Sequence, residues 1–292
     1  MTQSEKQFCF GTLALGKKYC ALASLLAKDI EIYSPNTKFV ILTDHPEEFS
    51  EYAHVLAFQH QQQGVKCYHD KRFVIAKALS LFDSCIFLDA DMRILATVSD
   101  DLKWLMKPGI AARACMLMPK KFTKVLEGKA DAHFRREFEF VKKAAQKLNL
   151  DAEWQNIQFV HEYLFSVTKD AGKEIEFLQQ WDILANYFEL NEIYDGEGSA
   201  IGLAAYKAGL PVIWSEMDGL SFFNTKIEIV RLQKGQSSLE TVSKYFEEHD
   251  RILYPKSPLW KKAQRKIGKE ITHFYRKMQF KIKRVFEKSD RW

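Results

Sequence analysis

Two aspartates one residue apart are the first residues in this chain whose types and spacing could do chemistry. In residues 85–93 (CIFLDADMR) four apolar residues run straight into Asp89 and Asp91. A strand that buries Ile86 and Leu88 has no use for carboxylates, so both are expected in the turn beyond it. Carboxylates at i and i+2 can converge on one hard cation. Mg²⁺ or Mn²⁺ held in this way takes its remaining ligands from water and substrate phosphates. Residues 69–82 (HDKRFVIAKALSLF) read as a helix carrying Lys71, Arg72 and Lys77. A guanidinium offers a planar fork to phosphate oxygens, so Arg72 and Lys77 are expected to contact a diphosphate. The alternative for both is a solvated helix face.

Two further polar clusters interrupt apolar surroundings. Residues 158–167 (QFVHEYLFSV) read as one strand in which His161 and Glu162 are the odd members. A buried carboxylate needs partners, and sugar hydroxyls are suitable ones. Residues 195–198 (DGEG) read as a turn, followed by a helix that Ser199 caps. Asp195 and Glu197 then stand at a helix entrance, as catalytic groups or as turn and capping residues.

The elements that must position these groups alternate strand and helix. Strands are expected at 8–13, 38–43, 55–58, 85–88, 110–116, 158–167 and 211–214. Helices are expected at 17–29, 70–82, 130–148, 172–187 and 199–208. This alternation is the pattern of a wound α/β sheet, whose ligands sit beyond the carboxyl ends of the strands. Thr12, Asp44, Asp89 and Asp91 occupy such positions.

With these residues in view, residues 8–116 resemble the nucleotide-binding half of GT-A-fold glycosyltransferases. GTLALGKKYCALASLLAKDI, FVILTD and KRFVIAKALSLFDSCIFLDADMR carry the likeness, with Arg72 seventeen residues ahead of Asp89. The nearest likeness is to the glycogenin and bacterial galactosyltransferase group, which uses UDP-sugars and Mn²⁺ and retains anomeric configuration. The resemblance implies that Thr12 and Leu13 hold the nucleobase, that Arg72 lies near the phosphates, and that Asp89 and Asp91 meet metal and ribose. It also implies a GT-A-like Rossmann-type sheet in a single catalytic domain. The chain departs from the group in lacking the late HxxGxxKPW pattern that supplies a third metal ligand. His249 and His273 are candidates by residue type, and KSPLWKK is a faint echo of that pattern. The stretch DGEGSAIGLAAYKAGL stands nearest to the group's sugar-contacting pair.

Composition fits this reading. The 292 residues are 47% hydrophobic and 28% charged, with few glycines and prolines, which supports a sizeable core and no long linker. The opening ten residues lack a basic segment followed by an apolar run, so no signal peptide is expected. The five cysteines have no metal-binding spacing, and reduced thiols in a cytoplasmic protein are expected.

Charge divides the chain at about residue 257. Residues 258–292 hold twelve Lys or Arg and three acids, a net +9, so the remainder of a chain at +5 sums to −4. At 100° per residue, Trp260, Ile267, Ile271, Phe274, Tyr275, Met278, Ile282, Val285 and Phe286 fall in an arc of roughly 120°. Phe280 is the apolar exception. The division expected is a catalytic domain at 1–257 and a basic amphipathic helical tail at 258–292. The tail either lies on the inner face of an anionic membrane or docks on protein.

The leading expectation is transfer of a sugar from a nucleotide-sugar donor to a glycan, lipid or protein hydroxyl, with no nucleic acid involved. An aspartate phosphatase would want Thr or Val where Arg93 stands. A sugar-nucleotide pyrophosphorylase would want a richer glycine loop than GTLALGKKY. A non-enzymatic membrane adaptor would leave the aspartates unexplained.

Overall fold

The computed structural model describes residues 7–255 and 259–286. The strands are β1 (Phe8–Ala14), β2 (Lys38–Thr43), β3 (Val55–Gln59), β4 (Ser84–Leu88), β5 (Arg93–Ile94), β6 (Gly109–Ala112), β7 (Cys115–Leu117), β8 (Gln158–Val160), β9 (Leu164–Thr168), β10 (Val212–Trp214) and β11 (Phe222–Phe223). The α-helices are α1 (Lys17–Tyr33), α2 (Lys71–Leu79), α3 (Met118–Lys121), α4 (Thr123–Leu126), α5 (Ala132–Lys147), α6 (Lys173–Leu190), α7 (Glu197–Ala208), α8 (Thr225–Gln233), α9 (Leu239–Leu253) and α10 (Leu259–Phe286). Seven strands form a mixed sheet in the order β10-β6-β9-β4-β1-β2-β3. Its pairings are parallel except those of β9, which runs against both β4 and β6. The chain is therefore an α/β protein with a Rossmann-like wound sheet.

The continuous apolar runs of β2 and β4 follow from burial on both faces. Val40, Leu42, Cys85 and Phe87 enter one core with Val74 and Ile75 of α2 and Trp181 of α6. Phe39, Ile41, Ile86 and Leu88 enter the other with Ala23, Leu26 and Ile30 of α1. Each large side chain so buried contributes about 1.5–3 kcal/mol relative to exposure. An ion pair locks the second layer to β5. Arg93 donates to both oxygens of Asp29, at 2.6 and 2.8 Å, and also to Glu248.

Three expected elements differ in detail. Residues 110–116 are two strands, β6 and β7, in different sheets. Residues 158–167 also split, into β8 and β9, and His161 and Glu162 lie in the break, where polar residues cost less than inside a strand. The helix expected from Ser199 starts at Glu197, and Ser199 is fully buried within it instead of capping it. β5, β11, α3, α4, α8 and α9 have no counterpart among the elements expected from sequence. The expected boundary at residues 257 and 258 lies outside the described residues.

All five cysteines are free, three of them buried. Among the described residues, no helix is long and apolar enough to cross a membrane.

Candidate functional site

The pleat of β4 decides where Asp89 points. Successive side chains of a strand face opposite sides, and Cys85 and Phe87 face the α2 layer. Asp89 continues that alternation and meets Lys71, whose Nζ lies 2.9 Å from its Oδ1 and 5.4 Å above the Phe87 ring. Lys71 also donates to the Glu162 carbonyl at 3.3 Å and stands 4.0 Å from Glu197 Oε1. Between Asp89 and Asp91, Ala90 is buried while both carboxylates are partly exposed. β1 has β2 on one side and β4 on the other, so the order of the sheet reverses here. The carboxyl ends at such a reversal form the ligand crevice of wound sheets.

Two backbone features bring Glu162 and Glu197 to this crevice. The corner between β8 and β9 is tied down by the His161 N–H donating to the Ala114 carbonyl at 2.8 Å. The Asp89 N–H donates to the Tyr163 carbonyl at 3.0 Å, which fastens the corner to the end of β4. α7 then packs its backbone directly on β8. A Cβ at Gly198 would lie 2.3 Å from the Val160 carbonyl oxygen, and one at Gly202 only 1.7 Å from that of Gln158. Glycine at these two positions permits the approach that sets Glu197 beside Glu162 and Lys71.

The cluster carries strained electrostatics. Burial pushes the Asp91 carboxyl up to about 6, and the neighbouring Asp89 charge adds to the shift. Burial also pushes Glu197 well above the usual carboxylate range, assisted by the Glu162 charge, and its Oε2 has no hydrogen-bond partner. Burial opposes the Lys71 charge, but Asp89, Glu197 and Glu162 outweigh it and hold the ammonium above its ordinary range. Burial and then the charges around Asp91 and Cys67 raise Tyr19, and burial, Cys67 and Glu197 raise Tyr68. Both rings are more than 40% exposed, so they form an aromatic rim.

Of the residues expected from sequence, Asp89, Asp91, Glu162 and Glu197 come together. Asp195 lies on the same side but is exposed, 3.7 Å from His133. Arg72 does not join them. Its fork is taken by Asp182, at 3.0 and 2.8 Å, and by the His69 carbonyl at 2.7 Å. One residue along a helix is a 100° turn, and that turn gives the site Lys71 instead. Lys77 stands over the Phe58 ring at 4.2 Å. Thr12 is fully buried and donates to the Leu88 carbonyl at 2.7 Å, so it ties β1 to β4. Leu13 beside it packs partly buried against the α2 core. Asp44 accepts from the Gly16 N–H at 2.8 Å and so fixes the entrance of α1. His161 packs edge-on against Phe159, and burial lowers its pKa.

Sequence reasoning passed over Tyr19 and Tyr68, because an exposed aromatic has no local signal of what lies opposite it. Lys226, whose charge reaches Asp91, was missed for the same reason.

A hard divalent cation fits the donors present. Asp89 and Asp91 offer oxygen donors set around a buried alanine, and their repulsion is of the kind such an ion would relieve. Among the described residues no third His, Cys, Asp or Glu completes a metal-holding group. His249 contacts Thr225 and Phe223, and His273 contacts Tyr194. A groove of about 820 Å³ between α2 and α6 is lined equally by apolar and polar side chains, Arg72, Asp182, Lys169 and Glu174 among the latter. None of the clustered carboxylates lines it.

No protein-family model matches the chain, and no curated protein matches it, so its chemistry must be read from its own site.

Proposed function

We propose that the chain is a glycosyltransferase with a GT-A-like site, moving a sugar from a nucleoside diphosphate donor, UDP-linked by the resemblance, to an acceptor hydroxyl. The observation that carries this reading is the convergence of Asp89 and Asp91 with Lys71 just beyond β4, at the reversal of the sheet. Asp89 and Asp91 would hold Mg²⁺ or Mn²⁺. When bound, that ion supplies positive charge to the leaving diphosphate.

The remaining work falls to the chain's own residues. Lys71 orients Asp89 and adds a fixed positive charge at the diphosphate position. Glu197, held protonated by burial, can donate a hydrogen bond to a sugar hydroxyl. Glu162 beside it supplies an acceptor. Tyr19 and Tyr68 offer exposed rings to the nucleotide.

The phosphatase alternative gains no support, because Arg93, two residues beyond Asp91, is spent on Asp29 and Glu248.

A panel of nucleotide sugars, measured for Mn²⁺-dependent thermal stabilisation and slow donor hydrolysis, tests the proposal. At least one donor should raise Tm only with the metal present. Asp91→Asn should remove that response while folding normally, since Asp91 is partly exposed and nearly isosteric with Asn. Asp91→Asn retaining the full metal response, or no donor acting on the unmodified chain, would overturn it.

A further inference from the structure

Between residues 268 and 283, α10 turns its apolar side chains other than Phe280 away from the protein. Phe280, which falls outside the apolar arc, is the side chain that is buried, at 6% exposure. Ile271, Phe274, Tyr275, Met278 and Ile282 are all exposed, between 45 and 66%. At 100° per residue these five span an arc of roughly 100°, with Phe280 diametrically opposite.

The inner side of the helix is fixed by specific contacts. Lys277 and Lys281 pair with Glu192 at 2.6 and 3.4 Å. Arg276 donates to Gln62, Lys283 donates to Gln63, and His273 packs edge-on against Tyr194 with ring centroids 5.4 Å apart. These partners adjoin site residues along the chain, and Arg276 lies close enough to Cys67, next to the rim residue Tyr68, for its charge to act on that thiol. Tyr194 directly precedes Asp195, and Gln62 and Gln63 lie in the loop that leads to Lys71.

We propose that the outer face of α10 seats the protein on an anionic lipid surface, with the rim of the carboxylate cluster beside that surface. The exposed set is three aliphatic or thioether side chains with a Phe and a Tyr, a composition suited to the boundary between headgroups and acyl chains. Lys281 borders the exposed arc at 100° per residue, and residues 258–292 carry a net +9. An anionic surface complements that charge. A second copy of this chain does not, since closure on the same face would bring two segments of +9 together. This inference stands whether or not the transferase reading holds.

Sedimentation of the full chain with phosphatidylglycerol–phosphatidylcholine vesicles, compared with phosphatidylcholine alone, tests it at about 0.05 M and about 0.5 M salt. The chain should bind the anionic vesicles at low salt and leave them at high salt. The triple variant Ile271→Ser, Phe274→Ser, Met278→Ser should keep its Tm and bind at least about tenfold more weakly. Three results would each overturn the proposal. These are no binding to anionic vesicles at low salt, equal binding to both vesicle types, and undiminished binding by the triple variant. A dimer in solution that the triple variant converts to monomer would assign the face to a second copy. The comparisons using the unmodified chain remain decisive even if the variant misfolds.

Discussion

Lys71 Nζ and the Asp89 carboxylate stand 2.9 Å apart, and this ion pair joins the start of α2 to the end of β4. It places a cation among the Asp89, Glu162 and Glu197 side chains. The pair explains why a partly exposed aspartate can stand beside a buried lysine at the mouth of an apolar sheet.

Removing that cation should expose its role. Lys71→Met leaves Asp89, Glu162 and Glu197 without it and should cost about 1–3 kcal/mol, below the range for a deeply buried pair because Asp89 is partly solvated. Mn²⁺ should then raise the Tm of the variant more than that of the unmodified chain, since a divalent ion can replace the lost charge. Urea melts with and without Mn²⁺ measure both effects. An undiminished stability would show that the ammonium contributes nothing there.

Arg72 should behave oppositely from its neighbour. With its fork engaged by Asp182 and the His69 carbonyl, Arg72→Ala should lose about 1–3 kcal/mol of stability. UDP affinity in the presence of Mn²⁺ should stay within about twofold of the unmodified value. Calorimetric titration decides the matter: a tenfold loss of UDP affinity with stability intact would put the guanidinium at the donor.

Glu197→Gln imitates the protonated acid that burial favours. Its Tm at neutral pH should therefore be unchanged or higher, and UDP affinity nearly unaffected. Turnover should stay within about tenfold, since the glutamine amide still donates the hydrogen bond assigned to Glu197. Parallel kcat and UDP-binding measurements check this, and a fall of about 10²-fold or more with UDP affinity intact would show that Glu197 moves a proton instead.

Glu189 makes a pH prediction away from the metal ligands. Its oxygens accept from the Val65 and Lys66 N–H groups, yet burial pushes its pKa from 4.5 up to about 7, with the Asp70 charge adding to the shift. A carboxyl raised in the folded state is bound to its proton more tightly there than in the unfolded chain. Its stabilising contribution is complete below pH 4.5 and is lost as pH rises through about 7. The slope is at most about 1.4 kcal/mol per pH unit. Glu189→Gln should flatten the decline in Tm between pH 5 and pH 8, and an identical decline in both proteins would show that other groups cause it.

Much of this architecture was legible in the sequence because burial leaves a local trace. FVIL, within KFVILT, and CIFL read as doubly buried strands, since both faces of each are covered and their inner residues must be apolar. Asp89 and Asp91 read as lying beyond a strand because a buried strand could not contain them. The tail read as an amphipathic helix because one period of 3.6 residues suffices to separate its faces.

What the tertiary structure decided were relations between segments far apart in the chain. Adjacent cations on α2 look alike in sequence, and the phase of the helix against β4 sends Lys71 to Asp89 and Arg72 to Asp182. His161 and Glu162 marked an irregularity, but only pairing with β7 on one side and with β4 and β6 on the other turned it into a corner. In α10 the amphipathic pattern separated two faces without saying which would meet the protein, and Phe280 with its basic neighbours took that place. Periodicity records how much of a side chain is buried, which is a property of its own segment. The partner that buries or neutralises it comes from a remote segment, so only the packed structure determines it.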